Sequence, residues 1–241
     1  MNTTVETTAE TTADLIVGPG AQGRRLNEFK LICFDMDSTL INIECIDEIA
    51  DAAGRKAEVA AITEAVMRGE ITDFKDSLRR RLAMLEGVSI DHLEAVYTQR
   101  LRPNPGALEL IQACHAAGLK VLLVSGGFTY FAERLRPRLG IDFVRSNQLD
   151  IIDGRLTGCV VAQSWGDICD GPTKRQTLLD MCSLLGCAPE QAIAMGDGAN
   201  DLPMMSVAGL SVAYHAKPKV REQADVAINA GGLDRLLEVL G

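Results

Sequence analysis

The sequence predicts an α/β protein: an open, doubly wound parallel sheet carrying a helical insertion. Three observations lead there. Short apolar runs alternate with helical patterns along most of the 241 residues. Each run is apolar on both faces, as strands covered by helices on each side must be. Residues 41–103, directly after the first run, have helical periodicity and no strand signal.

Residues 1–27 are Thr-rich and weakly patterned, and read as a mobile tail without chemistry. The first strand is 30–34. The insertion reads as helices over 46–53, 56–68, 73–85 and 90–99, with Ser89 placed to cap the last. A helix over 107–117 ends at Gly118, where a left-handed residue is wanted. Strand 120–124 and helix 130–139 follow. In 149–161, Asp153-Gly154 between apolar runs signals a hairpin. Helix 174–185 ends at Gly186. Strand 191–195, helix 201–208 and strands 210–214 and 226–228 complete the alternation. The expected division is therefore a tail (1–27), an α/β core (28–40 and 104–241) and a helical cap subdomain (41–103).

Composition narrows the function. Hydrophobic residues are 47% and charged residues 24%, which excludes a disordered chain, a collagen and a coiled coil. There are 24 Lys+Arg against 33 Asp+Glu, a net charge of −9. That balance argues against nucleic acid as the main partner. The seven cysteines include no CxxC pair, and with the three histidines they make no zinc spacing. Reduced thiols in a cytoplasmic protein are the simpler reading. No apolar run reaches the roughly 20 residues that span a bilayer, so no membrane is expected. A signal-peptide pattern is missing from the N-terminus.

In doubly wound sheets, ligands bind beyond the carboxyl ends of the strands. Three polar clusters follow three strands: Asp35-Met-Asp37-Ser-Thr, Ser125-Gly-Gly, and Gly196-Asp-Gly-Ala-Asn-Asp201. Lys174 opens the helix that leads to the third. Asp35, Asp37 and Asp197 would repel one another without a cation. Oxygen-only donors favour a hard ion, with Mg²⁺ expected. Ser125, Gly126, Lys174 and Asn200 offer a hydroxyl, a backbone N–H, an ammonium and an amide, all suited to phosphate oxygens. A hard metal beside an anion cradle points to phosphoryl transfer. On helical spacing, Phe74, Leu78, Arg81, Leu82 and Leu85 share a face, so Arg81 can look into a pocket while Arg79 and Arg80 point elsewhere.

These four motifs resemble those of the haloacid dehalogenase superfamily. Within it, Ile43-Glu-Cys-Ile-Asp-Glu-Ile-Ala50, Ser77-Leu-Arg-Arg-Arg81, Gly126-Gly-Phe-Thr-Tyr-Phe-Ala132 and Ala213-Tyr-His-Ala-Lys-Pro-Lys219 resemble the phosphoserine phosphatases. The resemblance runs from Lys30 to the C-terminus. It implies a Rossmann-like core with a helical-bundle cap that opens and closes. It further implies hydrolysis of O-phospho-L-serine, the last step of L-serine biosynthesis. Asp35 would be the nucleophile, forming an aspartyl-phosphate, and Asp37 the proton donor and acceptor. Mg²⁺ would be held by the Asp35 carboxylate, the Asp37 carbonyl and Asp197. Ser125, Gly126, Lys174 and Asn200 would bind the phosphoryl group, with Asp201 orienting Lys174. Glu44 would take the substrate ammonium and Arg81 its carboxylate.

Two features depart from the family pattern: the run 69–74 is one residue longer ahead of Phe74, and Pro172 stands close before Lys174. Residues 1–27 are too short for the regulatory N-terminal domain of some relatives, so no serine feedback site on a separate domain is expected. A homodimer stands open beside a monomer, and Mn²⁺ beside Mg²⁺. Three functional alternatives also stand: phosphotransfer to homoserine, a phosphatase for another small phosphomonoester, and a non-catalytic phosphoserine-binding module.

Overall fold

The structure is a computed structural model that describes residues 13–68 and 70–241. Its strands are β1 (Leu15–Val17), β2 (Leu31–Phe34), β3 (Lys120–Phe128), β4 (Phe143–Ile152), β5 (Arg155–Val161), β6 (Ala192–Gly196), β7 (Leu210–Tyr214) and β8 (Val226–Ile228). They form one sheet in the order β1-β8-β7-β6-β2-β3-β4-β5. The interior pairs are parallel, and the two outermost, β1–β8 and β4–β5, are antiparallel. From β2 the chain steps outward through β3, β4 and β5, then returns to β6 on the other side of β2. The carboxyl end of β2 thus lies at the point where strand order reverses, the expected place for a ligand crevice.

The helices, in chain order, are α1 (Cys45–Ala52), α2 (Lys56–Met67), α3 (Phe74–Ala83), α4 (Ile90–Ala95), α5 (Ala107–Ala116), α6 (Thr129–Leu139), α7 (Gly171–Leu185), α8 (Leu202–Met205), α9 (Pro218–Arg221) and α10 (Leu236–Leu240). The period of two along β2 divides the core. Ile32 and Phe34 join the cluster that contains Leu110 of α5, Phe131 of α6 and Leu236 of α10. Leu31 and Cys33 join the cluster of Leu178 on α7, Met204 on α8 and Val220 on α9. The alternation predicted from sequence is therefore a sheet covered on both faces.

The insertion between β2 and β3 holds α1 to α4. Its ends meet at a bridge between Ile41 and Pro103. Asn42 N–H donates to the Arg102 carbonyl at 3.0 Å, and Arg102 N–H donates to Asn42 Oδ1 at 2.7 Å. The turn after α3 is tied to the β4–β5 hairpin. Gly87 N–H donates to the Leu156 carbonyl, Leu156 N–H to the Val88 carbonyl and Ile90 N–H to the Gly154 carbonyl, at 2.8, 2.9 and 2.9 Å. Ile43, Ile49, Leu82 and Leu93 belong to the same apolar cluster as Phe34, so the insertion is packed continuously with the core.

β3 runs on to Phe128, so Ser125-Gly-Gly lies in the strand and not after it, and the structure departs further from the sequence reading at three places. Residues 1–27 were expected as a tail, but Leu15–Val17 form a strand against β8. The backbone fixes it, through Asn229 N–H to the Asp14 carbonyl at 2.8 Å and Gly18 N–H to the Asp225 carbonyl at 2.7 Å. Residues 1–12 lie outside the described residues. β4 starts at Phe143, six residues before the expected run, because Arg145, Ser146 and Asn147 interrupt its apolar pattern. α7 starts at Gly171, ahead of Lys174. Asp170 caps it by accepting from Thr173 N–H at 2.9 Å, and Pro172 sits in the first turn, where a missing N–H costs nothing. Among the described residues, no helix is long and apolar enough to cross a membrane.

Asp142 pins the start of β3 and β4. It accepts from Lys120 Nζ at 2.8 Å, Val121 N–H at 2.9 Å and His115 Nε2 at 3.0 Å. Burial pushes its carboxyl up, but Lys120, the Val121 amide and His115 together hold it below the ordinary value. A carboxyl depressed by folding stabilises the protein above its unfolded pKa of about 4, and that stability is lost as pH falls through the folded value. Asp142→Asn should therefore cost about 1 kcal/mol at pH 7, a figure reduced for the half-exposed lysine. Urea unfolding should show the gap from the parent closing as pH falls below about 4.

Candidate active site

Four segments place their polar ends together. β2 runs directly into Asp35, whose N–H donates to the Met195 carbonyl of β6 at 2.9 Å. The chain then turns through Met36–Leu40, with Ser38 in the left-handed region at φ 56°. β3 carries Ser125, Gly126 and Gly127. α7 carries Lys174 in its first turn, and the loop after β6 carries Asp197, Asn200 and Asp201.

Lys174 is fully buried. Its Nζ donates to Asp35 Oδ1 at 2.6 Å and to Asp201 Oδ1 at 2.7 Å. Burial disfavours the ammonium, but Asp201 and Asp35 outweigh it and hold Lys174 protonated. The other oxygen of Asp201 accepts from the N–H groups of Asp197 and Gly198 at 3.2 and 3.0 Å. Gly196 makes room for this: a Cβ there would lie 2.4 Å from Asp201 Cγ. Asp35 is buried, and burial and the Asp201 charge push its carboxyl up against the pull of Lys174. Asp197 is raised to about 6 by burial, with Asp201 and Glu44 adding to it.

Asp37 is raised to about 7, first by burial and then by the Glu44 carboxylate, while Cys45 pulls it down. Its Oδ1 is buried with no hydrogen-bond partner. The carboxyl lies over Gly127, where a Cβ would come 3.0 Å from Asp37 Oδ2. A group poised near neutrality with a free buried oxygen can give a proton and take one back. Ser38 Oγ donates to Glu44 Oε1 at 2.6 Å, fixing Glu44 just before α1.

Carboxylate oxygens of Asp35, Asp197 and Asp201 all lie within 4.8 Å of one another. The sequence reading had Asp37 in place of Asp201. Both Asp201 oxygens are committed, to Lys174 and to two backbone amides, which leaves Asp35 and Asp197 the freer donors. With one ammonium among three carboxylates, the cluster carries uncompensated negative charge. Its oxygen-only donors fit a hard cation.

Apart from Lys174 and Asp201, which lie behind Asp35, every residue expected at the site lines one cavity of about 830 Å³. Glu44 and Arg81 reach it from the insertion. Arg81 extends from the same helix as the buried Leu78 and Leu82 and keeps a buried Nε with no partner. Arg79 and Arg80 point away, pairing with Asp167 and Asp76. Phe74 lies over Gly126, where a Cβ would come 2.8 Å from its ring.

Sequence reasoning missed Asn147. It is fully buried, donating to the Gly126 carbonyl and accepting from Cys169 N–H, both at 2.7 Å. It thereby locks the Ser125–Gly127 strand end to the loop before α7. A polar run inside an otherwise apolar strand was its only signal. Ser38 and the helix cap Asp170 were also missed; an Asp three residues before Thr173 is a cap signal readable from sequence.

Removing Lys174 would leave two buried carboxylates unpaired. Lys174→Met should lower stability by about 3–5 kcal/mol, as measured by urea unfolding in the presence of a chelator. A loss under 1 kcal/mol would mean that the ion pair does not hold the site together.

Comparison with known proteins agrees with this geometry. The model of the haloacid dehalogenase-like hydrolases matches residues 32–206. The chain is 68% identical over 231 residues to a phosphoserine phosphatase of Polaromonas sp., covering 96% of this chain and 98% of that protein. Two solved structures superpose with a TM-score of 0.80 at 38% identity, covering 88% of this chain and 99% of theirs. One is a substrate-bound phosphoserine phosphatase complex, the other a phospho-aspartyl intermediate analogue of phosphoserine phosphatase. On this match the chain belongs to the haloacid dehalogenase-like hydrolases and, within them, to the phosphoserine phosphatase family.

Proposed function

We propose that the chain hydrolyses O-phospho-L-serine to L-serine and inorganic phosphate, through a phosphoryl group carried on Asp35. The observation that carries this is the charge pattern of one cavity. Glu44 and Arg81 bring opposite charges from the insertion to face Asp35 and its phosphate-binding donors. A phosphomonoester with both an ammonium and a carboxylate satisfies all three regions at once.

The chemistry follows from the residues. Asp35 Oδ1 is held by Lys174, so its other oxygen is directed to phosphorus. As the Asp35 O–P bond forms, the bond from phosphorus to the serine oxygen breaks, and Asp37 gives that oxygen its proton. Asp37, now a carboxylate, takes a proton from water, which attacks phosphorus and releases Asp35 and phosphate. A carboxyl pushed up to about 7 holds or lacks its proton with comparable ease at neutral pH, as both halves require. Ser125 Oγ, the Gly126 N–H and Asn200 line the cavity around the phosphoryl oxygens, and Lys174 supplies positive charge from behind Asp35. A Mg²⁺ held by the Asp35 and Asp197 carboxylates and the Asp37 carbonyl would neutralise charge between the two anions.

We place this activity in the cytoplasm, as the final step of serine synthesis. All seven cysteines are free thiols, which suits that compartment. The helical insertion acts as the cap that closes over substrate and excludes water.

Phosphate release from a panel of small phosphomonoesters tests the proposal, with Mg²⁺ or chelator present. Release should be selective for L-phosphoserine, require the metal and vanish in Asp35→Asn. Arg81→Ala should raise KM for phosphoserine by ten- to a hundredfold, the scale of losing one charge-assisted contact of ~1.5–3 kcal/mol. Turnover of other esters but not phosphoserine would reject the roles of Glu44 and Arg81. Phosphohomoserine formed on adding homoserine would show an acceptor other than water.

A further inference from the structure

We propose that Asp167 is a positioning residue for this reaction: its carboxylate holds the amino end of α3 against the core, so that Phe74 and Arg81 face Asp35. The proposal rests on the phosphatase reading for its kinetic consequences and on geometry alone for its mechanics.

α3 is anchored differently at its two ends. At the carboxyl end, the turn after it is bonded through backbone to the β4–β5 hairpin, and Gly158 of β5 approaches Ala83 so closely that a Cβ would come within 3.2 Å. The amino end has no such backbone tie to the core among the described residues. There Lys75 and Arg79, one turn apart on α3 and beside the buried Leu78 and Leu82, both reach Asp167. Lys75 Nζ lies 3.3 Å from Asp167 Oδ1, and Arg79 pairs with Oδ2. Lys75 also lies 3.7 Å from Asp170 Oδ2.

The receiving side is held by hydrogen bonds on both sides of Asp167. Asp167 Oδ1 accepts from Ile168 N–H at 2.8 Å, which fixes the carboxylate. Before it, Gln163 and Gly166 exchange backbone hydrogen bonds at 2.8 and 3.0 Å. After it, Cys169 N–H is held by the buried Asn147, and Asp170 caps the helix that carries Lys174. The ion pairs thus connect the helix bearing the carboxylate-recognising arginine to the loop that leads into the phosphate-binding lysine.

The strength suits a closure that must also open. Asp167 and its partners are partly exposed, and such pairs are individually weak and screened by salt. Losing them should shift a closing equilibrium several-fold without unfolding the chain.

Asp167→Asn in the full chain tests this. Its KM for L-phosphoserine with Mg²⁺ should rise about fivefold while kcat stays within about twofold, because saturating substrate still drives closure. Salt near 1 M should raise the parent KM by a larger factor than that of the variant, so that the gap between them narrows. Asp167→Glu should recover most of the loss, and Arg79→Gln should reproduce it. In the substrate-free protein, hydrogen exchange should quicken in Phe74–Ala83 and stay unchanged in α5 and α6; a purely structural role would quicken it throughout. A KM within about twofold of the parent, or unchanged exchange in α3, overturns the proposal. If the parent releases no phosphate from phosphoserine, the phosphatase reading fails, and exchange in α3 alone decides the role of Asp167.

Discussion

The buried ammonium of Lys174 is the interaction on which the site depends. An unpaired ammonium inside a protein is prohibitively unfavourable, so the fold must bring carboxylates to it. The two that arrive, at 2.6 and 2.7 Å, come from the end of β2 and from the loop after β6. Strand pairing sets these two segments side by side, and the capped first turn of α7 delivers the lysine between them. Asp201 also gathers the amides of Asp197 and Gly198, so a single ion pair orders the whole loop. Because three carboxylates surround one ammonium, the same arrangement that fixes the backbone leaves a net negative charge at the crevice. The stabilising contact and the capacity to hold a cation have one origin.

Most of this was legible in the sequence because it is local. The central strands are short apolar runs, and their alternation with helices predicted a covered sheet. The Asp153-Gly154 turn predicted the hairpin, and both residues indeed have positive φ. The acidic and glycine-rich clusters after the strands were readable as site residues, since the fold class dictates where strand ends lie. The choice of Arg81 over its two neighbours needed only helical spacing. Apart from Ser38 and the Asp170 cap, what escaped depends on partners distant in sequence. Leu15–Val17 is a strand only because the edge of β8 offers unpaired backbone groups. Asn147 matters through two groups 21 and 22 residues away. Asp167 shows nothing in its own neighbourhood that marks it as the partner of Lys75, 92 residues earlier.

Core and insertion divide the electrostatic work. In the proposed reaction the core supplies the nucleophile, the proton carrier and the phosphate-binding donors from strand ends and one helix start. The insertion supplies one acid and one base, Glu44 and Arg81. Glu44 does more than face the cavity: its charge, after burial, helps raise both Asp37 and Asp197. Bringing the ammonium of a substrate to Glu44 would weaken that influence. In the proposed reaction the proton affinity of Asp37 would thereby be linked to whether the site is filled.

The bridge between Ile41 and Pro103 has a further meaning. The chain leaves the sheet and comes back at a single point, a few residues beyond Asp35. As far as β2, β3 and β6 are concerned, everything between is one turn, and a loop whose ends already touch can change length at small entropic expense. The helices over the cavity can therefore be lengthened, shortened or replaced without disturbing the register of β2 against β3 and β6. In the proposed reaction, such a change would leave Asp35 and the strand-end donors in place while the molecule recognised by the insertion changes.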